Sequence, residues 1–265
     1  MRTPLLALLL SCLSAGCALA QGACPVPRPM RFEVTAEVKR SGLAFTQGLE
    51  FHKGTLYESS GNVFGTSRVQ RIDLPTGKVT LLQDGGKAYF GEGLTIFNDR
   101  IWQLTYTEHR VFQRDLQGKE LRQFRNPRDG WGITHDDRRL IVSDGSDRLF
   151  FHSPADFSTL GSVQVRGPAG SVGGLNELEY VDGAVFANVF TTWQVLKISP
   201  QTGCIQAVAD LSGLRARMPA AELARIEAEG NFVLNGIAWN PASGLFTLTG
   251  KYWANLYTGR FIEAP

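Results

Sequence analysis

The chain has 265 residues, of which 43% are hydrophobic and 20% are charged, and its formal net charge at pH 7 is +2. This composition is that of a folded globular protein, and it excludes a disordered or low-complexity chain. Charges of both signs are mixed throughout, without a Lys/Arg run or an acidic tail, so we expect no nucleic-acid partner.

The N-terminal residues have the pattern of a secretory signal peptide. Arg2 precedes the apolar run 5–10, which is too short to cross a membrane, and small residues end at Ala20. We therefore predict a signal peptide over residues 1–20 and a mature chain over residues 21–265. The mature protein is expected to be exported, either periplasmic or secreted, and to contain no membrane span.

One short segment of β-like sequence recurs five times along the mature chain, and four of the copies carry Gly at the same position. The copies read FTQGLEF (45–51), FGEGLTI (90–96), GWGITH (130–135), LNELEY (175–180) and LNGIAW (234–239). An internal repeat of this length indicates the blades of a propeller or the turns of a solenoid.

Further alternating segments, rich in β-branched and aromatic residues, follow each copy and predict additional strands. Second strands are expected at 55–60, 100–106, 139–144, 184–189 and 245–250, and third strands at 68–74, 110–116, 148–154, 194–200 and 255–261. Fourth strands are expected in four of the units, at 78–83, 120–124, 161–165 and 204–211.

The fifth unit has no fourth strand of its own before Pro265. The alternating segment 31–38 at the mature N-terminus supplies the missing strand, which closes the ring without an open seam. The sequence therefore predicts an all-β protein, a single five-bladed β-propeller domain whose last blade is closed by the N-terminal strand. One short helical insertion, at 219–230, is expected before blade five.

Two of the four cysteines, Cys12 and Cys17, lie in the predicted signal peptide. The other two, Cys24 and Cys204, are expected to form a disulfide, because an even pair remains in an oxidising compartment and lies on neighbouring blades. The alternative is two unpaired buried thiols. A lipid anchor on Cys17 is a competing reading of the N-terminus, but Ser14 stands where such motifs usually carry Leu.

The residue before the repeated Gly, or before Glu177 in the fourth copy, lies at the start of each blade's first strand. First strands line the central channel of a propeller, so these five side chains are expected around one mouth of it: Gln47, Glu92, Trp131, Asn176 and Asn235. Lys251, at the end of a second strand, is expected at the same mouth. Apolar walls of a small-ligand pocket are expected from Phe45, Phe90, Trp193 and Trp253.

Glu92 is the strongest candidate for a catalytic group. A carboxylate on an inner strand, walled by aromatic residues, is desolvated and has a raised pKa, which suits proton transfer. Lys251 is likewise costly to bury without a partner. Four of these residues can instead have a structural role. Gln47, Asn176 and Asn235 could form hydrogen bonds between adjacent blades, and Trp131 could pack between them.

The sequence predicts no metal site and no cofactor. The four histidines have no ligand spacing, and there is no Cys/His cluster. A P-loop, a dinucleotide fingerprint and a GxSxG motif are also missing from the sequence.

Six of these segments, taken in order, resemble the plant and bacterial type of glutaminyl-peptide cyclotransferase. They are FTQGLEF, FGEGLT, GWGITHD, LNELEY with the following ANV, LNGIAW and TGKYW. The resemblance runs from about Phe45 to Phe261. It implies a five-bladed propeller that converts the N-terminal glutamine of peptides to pyroglutamate and releases ammonia, without a metal ion or cofactor. We expect a monomer whose partners are such peptides.

The resemblance also assigns roles to residues. It places the catalytic carboxylate on Glu92, which is expected to move the proton, and a charge-stabilising group on Lys251. It places channel partners and aromatic walls on Gln47, Trp131, Asn176, Phe45 and Phe90. Phe190 and Tyr106 stand where the resemblance leads us to expect Trp, which bears on substrate preference more than on activity.

Two other functions fit parts of the pattern. A calcium-dependent lactonase of the propeller type gathers Glu and Asn ligands, here Glu92, Asn176 and Asn235, but such proteins usually have six blades and an Asp among the ligands. A non-enzymatic periplasmic binding propeller needs no carboxylate–lysine pair at one mouth. A cyclotransferase accounts for both the number of repeats and that pair.

Overall fold

The computed structural model describes residues 23–62 and 65–264, which are mostly β-structure, as the sequence predicts. The predicted signal peptide and Cys17 lie outside these residues. The described residues contain two helical segments, the 3₁₀ helix Ser212–Arg217 and α1 (Ala220–Glu229). Neither has the length and apolar character that a membrane crossing requires.

After the long strand β1 (Arg28–Lys39), three four-stranded antiparallel sheets follow in chain order. The first unit contains β2 (Thr46–His52), β3 (Thr55–Ser60), β4 (Ser67–Asp73) and β5 (Lys78–Gly86). The second contains β6 (Gly91–Phe97), β7 (Arg100–Thr105), β8 (Arg110–Arg114) and β9 (Glu120–Arg125). The third contains β10 (Ile133–His135), β11 (Leu140–Val142), β12 (Arg148–His152) and β13 (Thr159–Gln164).

An eight-stranded sheet built from two four-stranded units comes after the small hairpin of β14 (Arg166–Gly167) and β15 (Gly170–Ser171). Its fourth unit contains β16 (Leu175–Val181), β17 (Ala184–Val189), β18 (Gln194–Ile198) and β19 (Ile205–Asp210). Its fifth unit contains β20 (Leu234–Asn240), β21 (Leu245–Gly250), β22 (Asn255–Glu263) and β1. The predicted helical insertion is confirmed, since α1 precedes β20.

The N-terminal strand completes the fifth unit, because β1 pairs antiparallel with β22, as predicted. The start of β1 also pairs in parallel with β19, between Arg28–Met30 and Ala207–Ala209, which the sequence pattern did not predict. The predicted disulfide between Cys24 and Cys204 is confirmed at this junction, with Cα atoms 5.4 Å apart. One covalent bond and one parallel pairing therefore join the fourth and fifth units.

The first strands of the units contact one another in the order β2, β6, β10, β16 and β20, and β20 contacts β2, so they form a ring. The repeated glycines lie where these strands touch. A Cβ on Gly48 would lie 2.3 Å from the backbone N of Leu94, and a Cβ on Gly132 would lie 2.0 Å from the backbone O of Asn176. In the first three units the repeat carries Gly at this position because the neighbouring backbone leaves no room for a side chain, and Gly236 of the fifth unit has a φ of 117°, which favours Gly.

Glu177 takes the place of that Gly in the fourth unit. Its two carboxylate oxygens accept hydrogen bonds from the backbone N–H of Leu49 (3.0 Å) and of Ile237 (2.8 Å). These donors belong to β2 and β20, so one buried side chain on β16 ties three first strands together. Burial raises the pKa of Glu177 well above its usual value, although both hydrogen bonds act in the opposite direction.

Candidate active site

A cavity of about 600 Å³ opens at the end of the ring where the first strands begin. Of the ten residues expected at this mouth or in its walls, seven line the cavity, and Asn235, Trp193 and Trp253 do not. The lining residues are Phe45, Gln47, Asn62, Phe90, Glu92, Tyr106, Trp131, Asn176, Phe190, Glu229, Asn231, Phe232, Lys251 and Tyr252.

Shifts in strand register bring the repeated polar residues to this end of the ring. In four units the pairing register between the first and second strands shifts within the motif. The shifts lie between Thr46 and Gly48, Gly91 and Leu94, Leu175 and Leu178, and Leu234 and Ile237. A bulge of this kind bends a strand and changes the direction of the side chain within it. The residues left without a pairing partner at the four register shifts include Gln47, Glu92, Asn176 and Asn235.

Glu92 is buried on β6, with 5% of its surface exposed, and a chain of amides leads to it. The Nε2 of Gln47 donates a hydrogen bond to the Oε1 of Glu92 (3.1 Å). The Nδ2 of Asn235 in turn donates to the Oε1 of Gln47 (3.4 Å) and to the backbone O of Thr46 (2.9 Å). Asn235 therefore lies behind Gln47 and fixes which end of the Gln47 amide faces the carboxylate.

The pKa of Glu92 is raised well above the usual value of a glutamate. Burial is the largest cause, and the charges of Glu108 and Asp129 act in the same direction, while the charge of Lys251 opposes them. A carboxyl with a raised pKa takes up and holds a proton at a higher pH than a free glutamate does, which suits a general base and acid.

Lys251 follows β21 and is also buried, with 5% of its surface exposed. Its Nζ lies 4.7 Å from the ring centroid of Phe45 and 5.0 Å from that of Phe190, so two aromatic faces contact the ammonium. Burial lowers the pKa of Lys251 to about 8, although the charge of Glu92 acts in the opposite direction. Within the described ranges, no carboxylate lies within 4.0 Å of this nitrogen.

Asn176 offers a free hydrogen-bond acceptor to the cavity. Its side chain is buried, and its Oδ1 has no hydrogen-bond partner among the described residues. An unpaired buried amide oxygen costs roughly 1–3 kcal/mol, and a ligand that donates an N–H removes this cost. Beside it, Trp131 meets the ring of Phe190 edge-on, with centroids 5.3 Å apart.

Aromatic rings form the walls of the cavity. Phe45 meets Phe90 and Tyr252 at centroid distances of 6.5 Å and 5.3 Å, Phe90 meets Tyr106 at 5.6 Å, and Phe232 meets Tyr252 at 4.8 Å. Tyr106 and Phe190, which stand where Trp is expected from the resemblance, both line the cavity.

Trp193 and Trp253 were expected in these walls, and that prediction is wrong. The two indoles stack on each other, with centroids 5.3 Å apart, in the apolar core next to α1. Trp253 is fully buried, and its Nε1 donates to the backbone O of Phe232 (2.9 Å). The turn after Lys251 directs Tyr252, rather than Trp253, into the cavity.

Five lining residues were not predicted from the sequence: Asn62, Glu229, Asn231, Phe232 and Tyr252. They lie in connections or at the end of α1, outside the repeated motif. Tyr252 alone had a signal, since it is part of the TGKYW segment. The other four lie in segments whose sequence has no repeat or alternation that would predict their position relative to the ring.

The described residues contain no group of three or more His, Cys, Asp and Glu side chains arranged to hold a metal ion. The lactonase reading needs Glu92, Asn176 and Asn235 as ligands of one cation. Asn235 is fully buried behind Gln47 and does not line the cavity, and its amide donates to Gln47 and Thr46 rather than facing the open space.

Comparison with known proteins gives a consistent result. The family model described as glutamine cyclotransferase matches residues 5–261. The chain is 37% identical over 235 residues to a glutaminyl-peptide cyclotransferase of Arabidopsis thaliana, and the match covers 88% of this chain and 72% of that protein. The crystal structure of Myxococcus xanthus glutaminyl cyclase superposes with a TM-score of 0.77 at 32% identity, covering 90% of this chain and 100% of that one.

Proposed function

The chain belongs to the glutamine cyclotransferase family, and we propose that it converts the N-terminal glutamine of peptides to pyroglutamate with release of ammonia. The observation that carries the proposal is the position of Glu92. It is a buried carboxyl with a raised pKa, in a cavity that also holds a buried ammonium and an unpaired amide oxygen.

The reaction needs one proton to move between two nitrogens. The neutral α-amine of the substrate attacks its own side-chain amide carbon, and a C–N bond forms as Glu92 accepts a proton from the amine. Glu92 then delivers that proton to the amide nitrogen, the bond from this nitrogen to the carbon breaks, and ammonia leaves. Because the attack is intramolecular, holding the substrate folded supplies much of the acceleration.

The residues around Glu92 fit the remaining roles. The ammonium of Lys251 stabilises the negative charge that develops on the amide oxygen in the transition state. The Oδ1 of Asn176 accepts an N–H of the substrate, and Gln47 and Trp131 hold its amide and amine. The aromatic walls exclude water, which would otherwise attack the same carbon and give glutamate.

We propose that the five four-stranded units are the blades of a five-bladed β-propeller that forms one domain over residues 21–265. The ring of first strands, the pairing of β1 with β22 and the similarity to the Myxococcus enzyme support this interpretation. The disulfide supports export into an oxidising compartment, with cleavage of the predicted signal peptide after Ala20. The mass of the mature protein isolated from cells tests that cleavage site.

The activity is tested with a peptide that carries an N-terminal glutamine. We expect ammonia release and a pyroglutamate product by mass spectrometry, and the same rate after exhaustive treatment with EDTA. Activity that is lost on chelation and restored by calcium would favour a metal enzyme of the lactonase type. Peptide binding without turnover would favour a binding protein.

A further inference from the structure

We propose that α1 contributes to the active site, because its residues Glu222 and Arg225 hold the turn that positions Lys251. The inference rests on the proposed function, because it assigns the helix a role in a reaction that uses Lys251. It concerns residues far from the repeated motif, on a segment inserted between the fourth and fifth units.

The turn 251–254, which joins β21 to β22, needs support from outside itself. Tyr252 has a φ of 58°, in the left-handed region that residues with a side chain rarely adopt. Such a conformation persists only where the surroundings hold it. Part of the support comes from the core of the fold, since the N–H of Lys251 donates to the O of Val233 (2.9 Å) and that of Tyr252 to the O of Ala44 (2.7 Å).

Two side chains of α1 give the turn further support. The Oε1 of Glu222 accepts a hydrogen bond from the N–H of Ala254 (2.7 Å). The Nη2 of Arg225 donates to the backbone O of Tyr252 (2.5 Å). Residues three apart lie on the same face of a helix, so one face of α1 holds a donor and an acceptor of the turn at once.

Burial makes the first of these contacts costly to lose. Glu222 is buried, so its removal leaves the part-buried N–H of Ala254 without this partner and opens a gap in the packing of the helix. The helix itself is anchored separately, because Ile226 is buried in the apolar core next to Trp253. Loss of a contact to the turn is therefore expected to loosen the turn while the helix stays docked.

Arg225 also supports the cavity wall. Its guanidinium lies 5.1 Å from the ring centroid of Phe232, and Phe232 packs against Tyr252 in the cavity. A looser turn would let the ammonium of Lys251 leave its place between Phe45 and Phe190. The charge-stabilising group would then be displaced from the reacting oxygen, which lowers the rate of the chemical step.

The test compares conservative and non-conservative changes at the two positions. Glu222→Gln keeps an oxygen that can accept from Ala254, and Glu222→Leu does not. Arg225→Lys keeps a donor and a charge, and Arg225→Met keeps neither. Glu227→Leu is the matched control on the same helix, because Glu227 is half exposed and its ion pair among the described residues is with Arg215 at the surface.

We expect Glu222→Leu to lower kcat by tenfold or more with KM changed by less than about threefold, since Lys251 acts in the transition state. Glu222→Gln should stay within about threefold of wild type in kcat, and Glu227→Leu should match wild type. Arg225→Met should lower kcat and raise KM, because it also removes the contact with Phe232 in the cavity wall. Arg225→Lys should have kcat and KM values close to those of wild type. Hydrogen exchange of the amides 251–254 should be faster in both non-conservative variants.

The inference is wrong if wild type turns over Gln-peptides and Glu222→Leu and Arg225→Met, folded by thermal melting, keep wild-type kcat. It is also wrong if the conservative variants lose as much as the non-conservative ones, or if exchange at 251–254 is unchanged. A wild-type protein without turnover would instead overturn the proposed function, so the two failures are distinct. If Glu222→Leu does not fold, the comparison of Arg225→Met with Arg225→Lys tests the inference by itself.

Discussion

Glu92 and Lys251 carry opposite formal charges in one cavity, and burial shifts the pKa values of both toward each other. Burial raises the pKa of the carboxyl and lowers that of the amine, and the attraction between the two only partly offsets this. The pKa of Glu92 therefore lies well above the usual value of a glutamate, and that of Lys251 falls to about 8. The apolar rings around them are the physical cause.

This pair predicts a bell-shaped dependence of kcat/KM on pH. The rate should rise as pH climbs through the raised pKa of Glu92, because the base must be ionised. It should fall above pH about 8, where Lys251 loses its proton. The substrate amine, with a pKa of about 7.7–8, adds to the rising side. Lys251→Met should retain a low rate without the falling limb, and a falling limb that persists in this variant would assign it to another group.

Gly145 sets the position of Trp131. It has a φ of 80°, and a Cβ built on it would lie 2.6 Å from a ring carbon of the Trp131 indole. Gly145→Ala should push the indole into the cavity and lower kcat/KM by about tenfold to a hundredfold.

Gly54→Ala is the control for Gly145→Ala, since Gly54 has a φ of 79° and open space around its Cβ position. The control carries the same backbone strain and should leave kcat/KM unchanged. Equal losses in the two variants would show that strain, and not the indole contact, is responsible.

The repeat predicts most of the polar site because each motif fixes one side chain by local register. Glu92 and Asn176 lie at equivalent bulges, so a sequence pattern is sufficient to place them. Asn235 occupies the same position in its motif but donates to Gln47 and Thr46 and lies behind the cavity. Which of these amides faces a ligand depends on contacts between units, and no single motif contains that information.

At the scale of elements, the sequence predicted the existence and order of the strands better than it predicted where each strand begins and ends. In the third unit the predicted first strand 130–135 is reduced to Ile133–His135. Before this strand the pairing is irregular, because the N–H of Gly132 donates to the Oγ of Ser143 (2.8 Å) and the N–H of Trp131 donates to the backbone O of Ser143 (3.1 Å). The parallel pairing of β1 with β19 had no signal, because alternation within a strand does not specify a partner on each side.

One buried ion pair links three elements at the point where β1 leads into the first unit. Arg40, between β1 and β2, donates from Nη1 to the Oε1 of Glu58 on β3 (2.8 Å), and Gln70 on β4 donates to the other oxygen. Burial alone would raise the pKa of Glu58, but the Arg40 charge and the hydrogen bonds from Arg40, Thr46 and Gln70 hold it below the usual value.

Glu58→Gln should therefore lower the free energy of unfolding by about 3–5 kcal/mol at neutral pH, because Arg40 is left buried without its counter-charge. The stabilisation from a depressed pKa is present above the unfolded value, about 4.3, and is lost as pH falls through the folded value. The difference between variant and wild type in urea melts should thus shrink in acid.

Glu33→Gln, at an exposed pair with Arg31, is the control for this measurement and should change stability by less than about 0.5 kcal/mol. A Glu58→Gln difference that stays constant from neutral to acid pH would contradict the assignment of the effect to charge.

At the scale of the whole molecule, closure of the ring depends on its two ends meeting. The N-terminal strand pairs with the C-terminal strand β22, and Leu49 and Leu56 of the first unit pack with Ala238 and Leu256 of the fifth. The disulfide adds a covalent link between Cys24 and Cys204, 180 residues apart in sequence. The even cysteine count and the blade order made this link predictable.

Replacement of both cysteines by Ser should destabilise the protein by about 2–4 kcal/mol, because a long loop of the unfolded chain is no longer closed. Activity at moderate temperature should be unchanged, since neither cysteine lines the cavity. Thermal melting with and without reductant measures the effect. A Tm that does not respond to reductant or to the replacement would show that strand pairing alone holds the junction.

The measurement that tests the account most directly is the turnover of a Gln-peptide by Glu92→Gln. The variant keeps the shape of the side chain but cannot accept the proton, so kcat should fall by about 10²–10⁴ while KM stays within a few-fold. Its Tm should equal or exceed that of wild type, because a desolvated carboxyl has been replaced by a neutral group. A folded Glu92→Gln enzyme with near-full kcat would show that the carboxyl is structural, and the proposed mechanism would be wrong.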